Sequence, residues 1–168
     1  MKEVDSLIFD INSDNYTLFA DSETIKRYIT AGKGVVTLVA PSGKAHSYSF
    51  ERPKNEKDFD EDTIFVYTLH EGRKHYTGKF TYGKYFNLTR NSKFDPETEA
   101  VKGAMFITRM ANDQSLVIST PMKLYHTDKC AYCGTTLRSK KAIELGLGRV
   151  CYKRYLEKLN RVKYNGNS

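Results

Sequence analysis

The three cysteines of this 168-residue chain constrain its fold more than any other feature. Cys130 and Cys133 form a C-x2-C pair, and Cys151 follows after 17 intervening residues. Two thiolates at C-x2-C spacing bind one ion from a tight turn, and the interval to the third cysteine is typical of zinc sites. A closed tetrahedral site needs four ligands, so one more donor is required.

Two side chains just before the C-x2-C pair are candidates for that donor. His126 lies four residues before Cys130, and Asp128 is nearer but is a harder oxygen ligand. The sequence therefore predicts one structural Zn2+ bound by His126, Cys130, Cys133 and Cys151. If Cys151 lies in the first turn of a helix, the helix dipole also favours its thiolate. In the alternative interpretation, the cysteines are three unconnected buried thiols.

The segment CAYCGTTLRSKKAIELGLGRVC resembles a small zinc-binding module, usually C-terminal, of uncharacterised proteins from bacteriophages and bacteria. That module reads C-x2-C-G-x-x-L, a polar loop, and G-x-G-P-x-C at the start of a helix, often with an upstream histidine. Arg149 replaces its usual proline, and Arg154 stands where a full treble clef has a fourth cysteine. The resemblance implies a treble-clef-like knuckle, short hairpin and helix in a phage accessory protein. The matching positions are Cys130, Cys133, Gly134, Leu137, Gly146, Gly148 and Cys151, with His126 upstream.

Several catalytic patterns are missing from the sequence. It has no H-x-E followed by P-C-x-x-C, as in zinc deaminases, and neither a P-loop nor a G-x-S-x-G motif. Three cysteines plus water would make an open zinc site, for which Glu144 is the candidate acid or base within the region. We predict a protein that is not an enzyme.

The charge of the chain is unevenly distributed. Its net charge is +7, with a pI near 9.2. Residues 1–25 hold one basic and six acidic side chains, whereas residues 121–168 hold eleven basic and three acidic ones. The positive field therefore belongs to the cysteine-bearing end, although lysine-rich faces also serve solubility alone.

This basic end predicts contacts with the phosphates of DNA or RNA. Aromatic residues in HYTGKFTYGKYFNLTR offer a second possible contact, in which Tyr76, Tyr82, Tyr85 and Phe86 stack on bases, unless alternation places them in a sheet core. The rival prediction is a phage-type protein that binds and modulates a host protein. The opposed charges of the two ends of the chain would suit a surface specific for such a partner. The predicted nucleic-acid contacts are Arg138, Lys140, Lys141, Arg149, Lys153, Arg154, Lys158 and Arg161.

The sequence before the cysteines predicts an antiparallel β-meander with one or two helices, giving an α+β protein of five or six strands. A helix capped at Asp21 or Ser22 ends at Gly32, and a hairpin turns at 41–44. Further turns are expected at 71–73 and 82–84. A four-turn helix is expected to start from Asp95 as N-cap, followed by a strand over SLVIST and, after the cysteines, a basic final helix.

The organisation that follows is a β-rich body at 1–121, a zinc module at 122–163 and a frayed tail at 164–168. The first thirty residues lack the pattern of a secretory signal, and no run of 18 apolar residues is present. We therefore expect a cytoplasmic protein, in the host cytoplasm if phage-encoded, whose cysteines stay reduced.

Overall fold

The computed structural model describes residues 7–8, 16–53, 63–81 and 86–166, with side chains described up to 161 from residue 16 onward. Five helices lie in these ranges: α1 Ser22–Thr30, α2 Glu99–Asn112, α3 Gln114–Ser119, α4 Lys140–Leu145 and α5 Arg149–Gly166. The strands there are β1 Leu7–Ile8, β2 Thr17–Leu18, β3 Lys33–Val39, β4 Lys44–Glu51, β5 Thr63–His70, β6 Arg73–Thr81, β7 Phe86–Asn87 and β8 Lys123–His126.

The strands form one antiparallel sheet in the order β2-β8-β3-β4-β5-β6-β7, and β1 pairs with β4. The predicted α+β class with an antiparallel meander is confirmed: β3 to β7 are sequential neighbours. The described part of the chain has eight strands where five or six were predicted. Strand β8, which opens the predicted zinc module, lies between β2 and β3, so the cysteine region continues directly from the sheet.

Helices α1 and α2 contact each other and cover the sheet, with α1 against β3 and α2 against β4 and β6. Helix α1 begins as predicted, because Asp21 accepts a hydrogen bond from the amide of Thr24. Its Ile25, Tyr28 and Ile29 are fully buried. Buried residues of the cysteine region, including Leu147 and Tyr155, belong to the same hydrophobic core. The cysteine region therefore packs on the body of the protein.

The segment SLVIST is helical, so the predicted strand is wrong. Asp113 accepts hydrogen bonds from the amides of Ser115 and Leu116 and thereby caps α3. A hydrogen bond from the Ser115 hydroxyl, followed by those from the two amides, lowers the pKa of the Asp113 carboxyl. The Asp113 side chain thus satisfies two backbone amides locally. In a strand, the same amides would need carbonyl partners on a neighbouring strand. Helix α2 has the predicted four turns, but its N-cap is Thr98 rather than Asp95.

A β-bulge changes the predicted faces of β6. Tyr76 pairs with Tyr67, whereas Gly78 pairs with Val66, so the ladder shifts register between them. The extra residue, Thr77, is buried and hydrogen-bonds to Thr68. Tyr76 consequently lies on the opposite face from Gly78 and Phe80, whereas alternation without a bulge would place all three on one face. The turn predicted at 82–84 lies outside the described residues. Among the helices that the structure does describe, none is long and apolar enough to cross a membrane.

Candidate metal centre and its basic surface

The C-x2-C pair forms a tight turn at the start of the cysteine region. The amide of Gly134 donates to the Cys130 carbonyl at 2.8 Å, and the amide of Cys130 donates to the Thr135 carbonyl at 2.8 Å. Gly134 has a φ of 81°, the left-handed conformation expected at this position. A single antiparallel bridge, Lys129 to Thr136, closes the turn. The short hairpin that the sequence predicts is thus reduced to one bridge.

The third cysteine reaches this turn through two helices. The predicted polar loop contains α4, capped by Ser139, which ends at Gly146 with a φ of 80°. The Gly146 carbonyl accepts from the amide of Ala131, and α5 then begins at Arg149. Cys151 therefore lies in the first turn of α5, as predicted. The Sγ atoms of Cys130, Cys133 and Cys151 all lie within 4.8 Å of one another.

The body of the protein holds this turn from one side. The Tyr28 hydroxyl donates to the Lys129 carbonyl at 3.0 Å, and the Lys33 amide donates to the Ala131 carbonyl at 2.6 Å. The Arg52 guanidinium donates to the Tyr132 carbonyl at 3.2 Å and stacks 4.3 Å from the centre of the Tyr132 ring. Sequence reasoning missed these three contacts. They come from residues that are distant in the chain, and no local pattern indicates them.

The thiols influence each other's ionisation. A hydrogen bond with the Thr135 hydroxyl lowers the pKa of Cys133 to about 7. Burial, followed by the nearby Cys133 and Cys130, raises the pKa of Cys151 to about 12. Ionising one thiol therefore hinders its neighbour, and a bound divalent cation would remove that repulsion. Three adjacent sulfur donors, two on a knuckle and one on a helix, fit a metal ion that prefers soft ligands.

The structure does not bring His126 to the three thiols. The His126 side chain is 1% exposed and packs against the rings of Phe19 and Tyr28, at centroid distances of 4.6 and 4.7 Å. Its Nδ1 is 2.8 Å from the Thr127 carbonyl. Burial lowers the pKa of this imidazole. His126 ends β8 and faces the sheet core, so it contributes packing there rather than an atom of the cysteine cluster.

The predicted nucleic-acid contacts lie on α4, on α5 and just before α4. Arg138, Lys140 and Lys141 are exposed around the start of α4. On α5, Tyr155 faces the core and its hydroxyl lies 3.1 Å from that of Thr30. The outer face of α5 consequently carries the exposed Arg149, Lys153, Arg154 and Arg161, with the acidic Glu157 among them, and Lys158 is half-buried at its side.

The aromatic residues of β6 and β7 are less available. Phe86 is 6% exposed and packs against Gly78. Tyr76 makes edge-to-face contacts with Phe65 and Tyr67 on the other face of the sheet. Tyr82 and Tyr85 lie outside the described residues. The structure thus places Phe86 in the core, as expected for one of the two interpretations of these aromatics.

Residues 124–156 match the model of DUF6011, a family of unknown function. The match runs from β8 through the cysteine turn and α4 into α5. No curated protein and no solved structure matches the chain.

Proposed function

We propose that this chain is a zinc-containing, non-enzymatic protein that binds nucleic acid through α4 and α5. The observation that carries the proposal is the position of Cys151. The first two turns of α5 offer a thiol to the cysteine cluster and also present the exposed cations Arg149 and Lys153. A metal bound there fixes the helix relative to the cysteine turn, so the zinc has a structural role.

Zinc is the metal we propose, because three sulfur donors in a knuckle-and-helix arrangement are typical of structural zinc sites. Free, mutually close thiols persist in a reducing compartment, so we place the protein in the cytoplasm. The phage origin proposed from the module resemblance agrees with an accessory role there.

Fluorescence anisotropy with labelled duplex DNA, single-stranded DNA and RNA tests the nucleic-acid part. With about four phosphate contacts, log K is expected to fall with log salt at a slope of roughly −3 to −4. The dependence on sequence should be weak, since phosphate contacts carry no base information. Absence of binding to all three probes at low salt would contradict the proposal.

Two double variants with the same charge change distinguish the contribution of the α5 surface to binding from that of the net charge. Arg149→Glu with Lys153→Glu changes two exposed cations of α5, whereas Lys102→Glu with Arg109→Glu makes the same charge change on α2. The α5 variant is expected to reduce the salt slope by about 2, and the α2 variant to leave it nearly unchanged. Equal losses in both variants would indicate that only net charge matters.

Binding to a host protein is the second candidate, favoured by apolar side chains beside the α5 cations. Val150 is 63% exposed and Leu156 is 39% exposed. Apolar and arginine side chains together are common in protein interfaces. Affinity capture from host cells with and without nuclease separates the candidates. A partner that survives nuclease and salt but is lost in Val150→Ser favours this second function.

A further inference from the structure

All four histidines and all three cysteines of the chain fall within the described residues, so its nitrogen and sulfur donors can be accounted for completely. His126 lies in the core, and His46 of β4 pairs with Glu99 of α2 at 3.2 Å. His70 and His75 contact each other across the β5–β6 hairpin. None of the four belongs to the cysteine cluster. In this structure no further imidazole or thiol of the chain lies within 4.8 Å of all three sulfurs.

The described carboxylates do not supply the fourth ligand of the metal site either. The atoms that lie mutually within 4.8 Å are the three sulfurs, and no described aspartate or glutamate joins them. Asp128, the nearest in sequence, is not in the group. A tetrahedral ion bound by these sulfurs therefore takes its fourth donor from outside the described chain.

The cysteine cluster is accessible to solvent at Cys133. Cys133 is exposed, whereas Cys130 is 1% exposed. Three cations lie near the cysteine turn and the start of α5: the Lys33 side chain passes 3.8 Å from the Cβ position of Gly134, Arg52 covers Tyr132, and Arg149 begins α5. Three thiolates and a divalent cation carry a net charge of about −1, which these side chains offset. The positive surroundings favour an anionic donor, and the sulfur set favours a soft one.

We infer that the fourth donor is an exogenous thiolate, so that the centre binds a thiol-bearing ligand. The inference rests on the metal part of the proposed function. The incoming thiol releases its proton to solvent, its sulfur binds the metal, and no electron is transferred. The same chemistry is available from a small free thiol or from a second copy of this chain, in which case a cluster cysteine of that copy would bridge the two metal ions because the chain has no fourth cysteine.

Cobalt substitution provides the test, because thiolate-to-Co2+ charge-transfer absorption increases with the number of bound sulfurs. The reduced full-length protein is loaded with Co2+ in thiol-free, anaerobic buffer and titrated with 2-mercaptoethanol, with ethylene glycol as the oxygen-bearing control. We expect the absorption to rise by about one third with the thiol only, as three sulfurs become four. His126→Phe, which keeps a flat ring against Phe19 and Tyr28, and Asp128→Asn should respond like the natural protein.

Two arms distinguish the sources of the thiolate. At low protein concentration, a response to added 2-mercaptoethanol supports a small thiol. A four-sulfur spectrum that appears without 2-mercaptoethanol at high protein concentration, together with an increase in the molecular mass of the protein in solution, supports a second copy. Co2+ uptake with neither response, or a spectrum that changes in His126→Phe or Asp128→Asn, overturns this inference and leaves the metal site standing. Failure to bind Co2+ overturns the metal part of the proposed function as well.

Discussion

At the scale of single residues, Gly146 is the most constrained glycine of the cysteine region. It ends α4 with a φ of 80°, and a Cβ there would lie 2.6 Å from Cδ2 of Tyr28. Gly146→Ala should therefore combine a left-handed backbone cost of about 1–2 kcal/mol with an overpacking cost of about 1–3 kcal/mol. Denaturant unfolding in the presence of zinc measures the sum.

Gly43→Ala is the matched control for this prediction. Gly43 has a φ of 90° but nothing lies within 4 Å of its Cβ position. Gly43→Ala should therefore lower the free energy of unfolding by the backbone contribution alone. Equal losses at the two glycines would mean that Tyr28 moves aside without cost and that the contact does not fix α4.

The burial of His126 predicts that the stability of the folded protein depends on pH. Burial holds the pKa of its imidazole below the ordinary 6.5, so the folded protein keeps the ring neutral where the unfolded chain protonates it. The unfolded state then binds more protons, and stability falls as the pH drops below 6.5. NMR titration of the ring should show the neutral form persisting below pH 6.5. A ring that titrates at or above 6.5 would contradict the burial described here.

Local spacing predicted much of the geometry of the cysteine turn, whereas the structure places one predicted donor, His126, outside the cysteine cluster. The C-x2-C turn, the left-handed Gly134 and the helical position of Cys151 follow from local spacing, which fixes local geometry. His126 matched the spacing of a ligand as well. Its alternation in β8 instead directs it to the core, against Phe19 and Tyr28, and those residues come from a segment about a hundred positions earlier. Spacing along the chain carries no information on that packing.

At the scale of elements, Arg52 links the end of β4 to the cysteine turn. Its guanidinium satisfies the Tyr132 carbonyl and stacks on the Tyr132 ring, so it positions the backbone between the first two cysteines. We expect Arg52→Ala to weaken zinc affinity by about tenfold, as loss of an outer contact at a metal site commonly does. Arg52→Lys keeps the charge but loses the planar stacking, and should weaken affinity nearly as much. Competition with a chromophoric chelator measures both, and full retention in Arg52→Lys would assign the effect to charge alone.

The elements around the cysteines should also respond to metal removal as a unit. The lobe from the cysteine turn through α4 has little core of its own, and zinc binding in small finger peptides contributes roughly 10–16 kcal/mol. Chelation should therefore raise amide hydrogen exchange in the turn and α4. Strands β4 and β5, which pair with neighbours on both sides, should keep their protection. Exchange that rises equally in the sheet would show that the lobe does not unfold separately.

The elements divide according to the source of their hydrogen bonds. Helix α1 and the β3–β4 hairpin were predictable because a capping residue or a turn sequence specifies each of them locally. SLVIST and β6 were not. In the first, a cap at Asp113 outweighs β-branched composition, and in the second a bulge at Thr77 inverts the face of Tyr76. Both outcomes depend on backbone partners that composition does not encode.

At the scale of the whole molecule, metal and nucleic acid should be coupled. The proposed contacts lie on helices whose position depends on the cysteine cluster, so zinc removal should weaken nucleic-acid binding at constant salt. By linkage, bound nucleic acid should raise zinc affinity by the same factor.

Anisotropy with and without chelator gives one side of the cycle, and chelator competition with and without DNA gives the other. The paired α2 substitutions Lys102→Glu and Arg109→Glu should leave the coupling factor unchanged, since they lie outside the cysteine region. Nucleic-acid affinity that is identical in the zinc-free protein would show that the basic surface does not need the metal, and would separate the two halves of the proposed function.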